Sequence, residues 1–212
     1  MVLYTNGDSN TAGTDLHSGE INFSEILAQK WQCNLVNQAE AGCSNSRILR
    51  TTREYIAANR PDFVVIGWTT WEREEWLVYG EYLQINANRT FSDNHTQQRY
   101  QDWVLNNSQE LMITKGQQWH DCIWQFHQEL MSQKIAHLFF HSYFDFFVEY
   151  DQQQDWQNCF YRPYDPEHSY FWTLSNLGFE PTSSLHFRGE GHQCWAQILL
   201  NFINQNADIH QW

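Results

Sequence analysis

Four short, β-prone apolar runs punctuate this chain, and a stretch with helical spacing separates most of them. The runs are Val2-Leu3-Tyr4-Thr5, Asn34-Leu35-Val36-Asn37, Asp62-Phe63-Val64-Val65-Ile66-Gly67 and Ile135-Ala136-His137-Leu138-Phe139-Phe140-His141. From Ile21 to Cys33, residues Ile21, Phe23, Ile26, Leu27 and Trp31 fall mostly at helical spacing, the pattern of an amphipathic helix. Ser44 or Ser46 can cap a helix running to about Asn59 with Ile48, Leu49, Thr52 and Ile56 inward, and Pro61 ends that unit. Gln117 to Gln133 returns to the helical period, and further helices are expected near His168 to Asn176 and from Glu190 to about Gln205. Strands that alternate with helices imply an α/β chain with a mostly parallel sheet covered on both faces, a three-layer α/β/α sandwich. The stretch from about Trp71 to Thr114 interrupts the alternation with Gln- and Asn-rich sequence, and reads as an irregular insertion in a single domain, 1–212. A lid or cleft wall is the natural role for a segment of that length.

In open parallel sheets, sites form beyond the carboxyl ends of the strands. That rule sets Ser9, the Gly42 loop, the Thr69 loop and His141 along one edge. A net charge of -13 argues against a nucleic-acid backbone or an anionic membrane as the main partner. No run of 18 apolar residues and no basic, apolar leader is present, so neither a membrane span nor a signal peptide is expected. The expected location is cytoplasmic or virion-associated. The cysteines are scattered and form no Cys-x-x-Cys pair, which suits a reduced compartment or a secreted chain without a disulfide framework. With 11 Trp, aromatic rings exceed what a small core needs, so some are expected at a cleft, where flat faces suit sugars.

Ser9 follows the first strand at a Gly7 bend that can expose its hydroxyl, although Asp8-Ser9-Asn10 would equally serve as a turn and helix cap. Late in the chain, Ser184-Leu185-His186 precedes Gly189-Glu190-Gly191-His192 at the start of the last helix. The order of these segments resembles the SGNH, or GDSL-type, hydrolase superfamily of esterases and lipases. Gly7-Asp8-Ser9-Asn10 resembles its first block, whose serine is the nucleophile, and Ala41-Gly42-Cys43-Ser44-Asn45 its second, whose glycine N–H meets the oxyanion. Gly67-Trp68-Thr69-Thr70 stands at the third block, usually Gly-x-Asn-Asp, and Ser183-Ser184-Leu185-His186 at the fifth, usually Asp-x-x-His. The resemblance implies a flavodoxin-like sheet of about five strands and a serine esterase acting through Ser9 and His186. Its substrate would be a small or carbohydrate-linked acyl ester.

Two departures stand out. Thr69 replaces the oxyanion asparagine; its hydroxyl reaches less far, and Asn45 is the substitute amide. Ser183 replaces the aspartate that would support the histidine, leaving the acid of the triad unassigned. These departures motivate a second reading, a non-catalytic binding or structural module on the same fold in a viral or cell-surface assembly.

Other segments compete for the same roles. Asp165-Pro166-Glu167-His168 spells Asp-x-x-His but reads as a helix cap with proline in the first turn; it is the next choice if His186 stands far from Ser9. His192 reads as a cap or packing group. Glu72-Arg73-Glu74-Glu75 reads as a solvated helix start, or as a cleft edge where Arg73 or Glu72 orients a polar substrate. His137 and His141 share one strand face without a completing carboxylate cluster, and read as a packed and a cleft-edge histidine. No cofactor and no metal is expected.

Overall fold

The computed structural model describes residues 1–87 and 89–206. In chain order its strands are β1 (Val2–Asn6), β2 (Asn34–Asn37), β3 (Phe63–Trp68), β4 (Glu74–Val78), β5 (Glu81–Ile85) and β6 (Ala136–His141). Its helices are α1 (Ser9–Ala12), α2 (Phe23–Trp31), α3 (Asn45–Ala58), α4 (Asn94–Asn106), α5 (Gln109–Ser132), α6 (Tyr170–Asn176) and α7 (Gly189–Gln205). The main sheet runs β2-β1-β3-β6 with every neighbouring pair parallel, the flavodoxin-like order.

Successive side chains of a strand point to opposite faces, so the apolar runs supply two cores at once. Leu3, Val65, Leu138 and Phe140 pack with Phe23 and Leu27 of α2, Leu174 of α6, and Trp195 and Leu199 of α7. Tyr4, Val64, Ile66 and Phe139 pack on the other face with Ile48 of α3 and Ile123, Phe126 and Leu130 of α5. This is the three-layer α/β/α sandwich expected from strands buried on both faces. Asn22 and Glu25 cap α2 reciprocally, and Ser44, not Ser46, caps α3 by accepting from Arg47 N–H.

The sheet has four strands rather than about five. Where a fifth would lie, Phe160 alone bridges Phe139, through Phe139 N–H to Cys159 O and Tyr161 N–H to Phe139 O, both 2.8 Å. Gln157, Asn158 and Arg162 hold positive φ on either side of the bridge, so the segment cannot continue as a strand.

The insertion is regular, which the sequence reading missed. Glu74 and Glu75 begin strand β4 rather than a helix, and β4 pairs antiparallel with β5. Tyr79 and Gly80, at φ 52° and 87°, make the tight turn between them. Helix α4 follows, and α5 starts at Gln109 under a Ser108 cap rather than at Gln117. Trp76, Ile85 and Tyr100 form a small core of their own. The hairpin is tied down by Arg50, which clasps the Glu75 carboxylate at 2.7 and 2.9 Å, and by Gln84, which accepts from both the N–H and the hydroxyl of Ser44. No described helix is long and apolar enough to cross a membrane.

Candidate active site

Gly7 follows the last residue of β1, and there the backbone comes close to β3: a Cβ on it would collide with Thr11 Oγ1 and stand 2.9 Å from Gly67 O. Beyond this approach Asp8 caps the single-turn α1, and its Oδ1 accepts from Asn10 N–H at 3.0 Å. Ser9 therefore stands at the first position of α1, at the carboxyl edge of the sheet, nearly buried but with part of its surface open. The Tyr143 hydroxyl faces both Ser9 and Asn10; burial and the nearby Asp8 push it up to about 12, so it stays protonated as a donor.

A carboxylate other than residue 183 stands beside His186. Asp15 lies just beyond the left-handed Gly13 that ends α1, and is itself at φ 69°. His186 Nδ1 donates to Asp15 Oδ2 at 2.9 Å, and Thr182 Oγ1 donates to the same oxygen at 3.0 Å. The bonds from His186 and Thr182 hold the Asp15 carboxyl below the usual carboxylate range, which keeps it ionised. A turn over 182–186, closed by Thr182 N–H to His186 O at 2.7 Å, presents the imidazole. Ser183 sits exposed on that turn. With Nδ1 committed to Asp15, Nε2 of His186 is left with a lone pair. No hydrogen bond joins Ser9 Oγ to His186 among the described residues.

The oxyanion candidates are placed differently from the sequence reading. Asn45 is not a free amide: its Nδ2 donates to Thr69 O at 3.1 Å and its Oδ1 accepts from Thr69 N–H at 2.9 Å. It is a clamp between α3 and the loop after β3. Thr69 Oγ1 donates to Asp8 Oδ2 at 2.8 Å and accepts from Arg73 Nη1 at 2.8 Å, so its proton is also taken. Gly42, at φ +74°, keeps its N–H without an acceptor among the described residues, while its carbonyl accepts from Asn86 Nδ2 at 2.7 Å. A Cβ on Gly42 would lie 2.6 Å from that nitrogen, so both the φ and the close approach call for glycine. Arg73 Nη1 lies 3.8 Å from Asp8 Oδ2 and donates to Thr69 Oγ1 at 2.8 Å, which brings a cation to the loop that follows β3.

The remaining histidines fall into place. His168 and Asp165 form a local pair at a short 3-10 turn with Pro166 at its start, the cap expected for them. His141 is a correction: it is fully buried against Trp71, Phe146 and Phe160 rather than lying at the cleft edge. His192 Nδ1 accepts from Phe23 N–H at 3.3 Å, so it closes the first turn of α2 as a neutral ring, and burial pushes it down to about 4. A histidine lowered in the folded state contributes stability that is full above its unfolded value of 6.5 and is lost as pH falls from there towards about 4. His192→Asn keeps an acceptor without the titration, so its denaturation midpoint should fall less between pH 6.5 and 4 than that of the parent. Equal slopes in the two proteins would remove His192 from the acid sensitivity.

The sequence reading named Ser9, Gly42, Arg73 and His186; it did not name Asp15 beside His186, Tyr143 facing Ser9, or the three donors that meet Asp8. Only Asp15 left a signal, a carboxylate within one short loop of the serine helix.

No protein-family model and no curated protein sequence matches the chain. Solved structures do. The psychrotrophic esterase EstA from Pseudoalteromonas sp. is similar over 98% of both chains, with 12% identity and a TM-score of 0.52. A carbohydrate esterase whose active site has divergent catalytic and non-catalytic binding functions is matched over 99% of this chain and 66% of its own, with 14% identity and a TM-score of 0.47. The acetyl xylan esterase Est2A from Butyrivibrio proteoclasticus gives 99%, 64%, 10% and 0.43 for the same quantities. The chain has the fold of the SGNH-type esterases.

Proposed function

We propose that the protein is a serine esterase in which Asp15 replaces the aspartate of the fifth block. The observation that carries this is the Asp15–His186 bond at 2.9 Å, which supplies the one group the sequence lacked. Serine becomes a nucleophile when a base accepts its proton. Ser9 Oγ attacks the ester carbonyl carbon as His186 Nε2 takes the hydroxyl proton, and Asp15 stabilises the imidazolium. The negative oxygen is met by the N–H groups of Ser9 and Gly42, with Arg73 in place of the usual amide. His186 then protonates the leaving alcohol, and water releases the acyl group by the same route in reverse.

The substrate reading is a small or carbohydrate-linked acyl ester. A hollow whose wall includes Glu72, the chain neighbour of Arg73, is lined further by Tyr100, Gln101, Trp103, Val104, Leu105 and Asn107; its flat rings and hydrogen-bonding groups suit a sugar, although none of Ser9, Gly42, Arg73 or His186 lines it. Phe144, next to Tyr143, helps to wall a second hollow that shares Glu72 and Asn107.

A fluorophosphonate should form one adduct, on Ser9, and neither Ser9→Ala nor His186→Ala should be labelled. Mass spectrometry of the labelled peptide checks this. An intact, folded chain that takes no label would instead support the non-catalytic module, which the occupied Asn45 amide and Thr69 hydroxyl favour.

A further inference from the structure

We propose that His127, His137 and Cys159 form a binding site for one copper(I) ion, separate from the Ser9 centre. They come from three elements, α5, β6 and the segment that bridges β6 at its edge. Their ligand atoms all lie within 4.8 Å of one another, and all three residues are buried. Three ligands at about 2.0–2.3 Å from a d10 ion stand roughly 3.5 Å apart, so small side-chain shifts suffice. His137 lies near the amino end of β6, whereas Ser9 stands at the carboxyl edge of the sheet.

The hydrogen bonds already arrange the ligands. His137 Nδ1–H donates to Ile135 O at 2.8 Å, the backbone contact that typically orients a metal-binding imidazole. Its Nε2 is thereby a lone pair, 2.8 Å from His127 Nδ1. The chain of bonds then stops: His127 Nε2 is buried with no partner in a residue of 0% exposure. A buried polar atom left so is unfavourable unless another interaction compensates it. Burial lowers His137 to about 3 and His127 to about 4, so both rings are neutral and ready to bind a cation.

Charge selects the ion. Trp124, Trp156 and Phe139 wall the cluster, with ring centroids 4.9 to 5.5 Å from the two imidazoles. A net charge in such surroundings is costly. One thiolate and two neutral imidazoles cancel a monovalent cation, whereas zinc(II) would keep a positive charge and want a fourth ligand, which no described residue of the cluster supplies. Soft thiolate ligation also favours copper(I). On binding, the Cys159 S–H proton leaves to solvent as the copper–sulfur bond forms, and the His127 proton moves from Nδ1 to Nε2; no electron is transferred. In the ion-free chain burial alone pushes that thiol up to about 12, a preference the cation reverses. The sequence reading took His137 for a packed histidine and expected no metal, because the partners lie 10 residues before it and on a separate loop.

The test uses the full chain with Cys33, Cys122 and Cys194, the three that solvent can reach, changed to serine. Copper(I) is offered without oxygen against a chromogenic chelator. The expected result is one equivalent held, with X-ray absorption showing one sulfur and two imidazole nitrogens. Cys159→Ser and His137→Gln should each weaken binding about 10²-fold, and Cys43→Ser should not. Failure of the parent to hold copper, a spectrum without sulfur, binding undiminished in Cys159→Ser, or preferential uptake of zinc(II) would each overturn the proposal. The absorption spectrum is read on the unaltered ligand set, so it decides the matter even if a ligand variant misfolds.

Discussion

Asp15→Asn should lower kcat for p-nitrophenyl acetate about 10³–10⁴-fold while leaving KM and the far-ultraviolet spectrum near those of the parent. The amide keeps the shape but presents either an N–H or a neutral oxygen to His186 Nδ1, which now bonds Asp15 Oδ2 at 2.9 Å. The tautomer is no longer fixed, and the imidazolium that forms as Ser9 loses its proton has no carboxylate beside it. The bonds from His186 and Thr182 hold the Asp15 carboxyl below its usual range, so it is charged at neutral pH, and the substitution removes that charge. Thr182→Val should cost far less, since its hydroxyl only steadies the same oxygen at 3.0 Å. Ser183→Asp in the Asp15→Asn background should not restore the rate, because residue 183 is exposed on the turn. Steady-state kinetics on the four proteins check this. A rate in Asp15→Asn within about threefold of the parent, in an assay that Ser9→Ala abolishes, would detach Asp15 from the chemistry.

How far the chain could be read without coordinates follows from where the decisive contacts lie. Strands β1, β3 and β6 were legible because they are buried on both faces, which leaves continuous apolar runs such as Phe63-Val64-Val65-Ile66, whereas β2 at the sheet edge is only half-buried and gave the weakest run. The insertion was not legible, because its hairpin buries few apolar side chains beyond Trp76 and Ile85: Leu77 is exposed, Val78 and Leu83 are only partly buried, and Glu, Gln and Tyr fill the remaining strand positions. Tyr79-Gly80 was its one local signal. In the site, residue types were read at their positions but their partners were not. Asn45 and Thr69 stand where the motif puts donors, yet each spends its donor on a neighbour 24 or 61 residues away. Asp15 reaches His186 across 171 residues, through a left-handed turn at Gly13 and the 182–186 turn. Such a pairing leaves no periodicity to find.

Asp8, the residue before Ser9, should prove a highly sensitive point for stability. Asp8 is fully buried, accepts from Asn10 N–H, Thr69 Oγ1 and Ser142 Oγ, and has Arg73 Nη1 at 3.8 Å. Asp8→Ala leaves these three donors unmet and Arg73 uncompensated in a site where its side chain is only 17% exposed. Removing one partner of a buried pair costs about 3–5 kcal/mol. In a domain of this size that corresponds to a Tm lower by about 6–20 °C. Asp8→Asn keeps an oxygen for the α1 cap and the shape of the side chain, so it should lose roughly half as much. Asp8→Ala with Arg73→Leu should recover part of the loss, because the stranded charge contributes most of it. Thermal melts of the four proteins decide between charge and cap as the cause. If the double variant is as unstable as Asp8→Ala, the cap and the Ser142 and Thr69 bonds carry the effect, and Arg73 is free to serve the oxyanion without holding the loop.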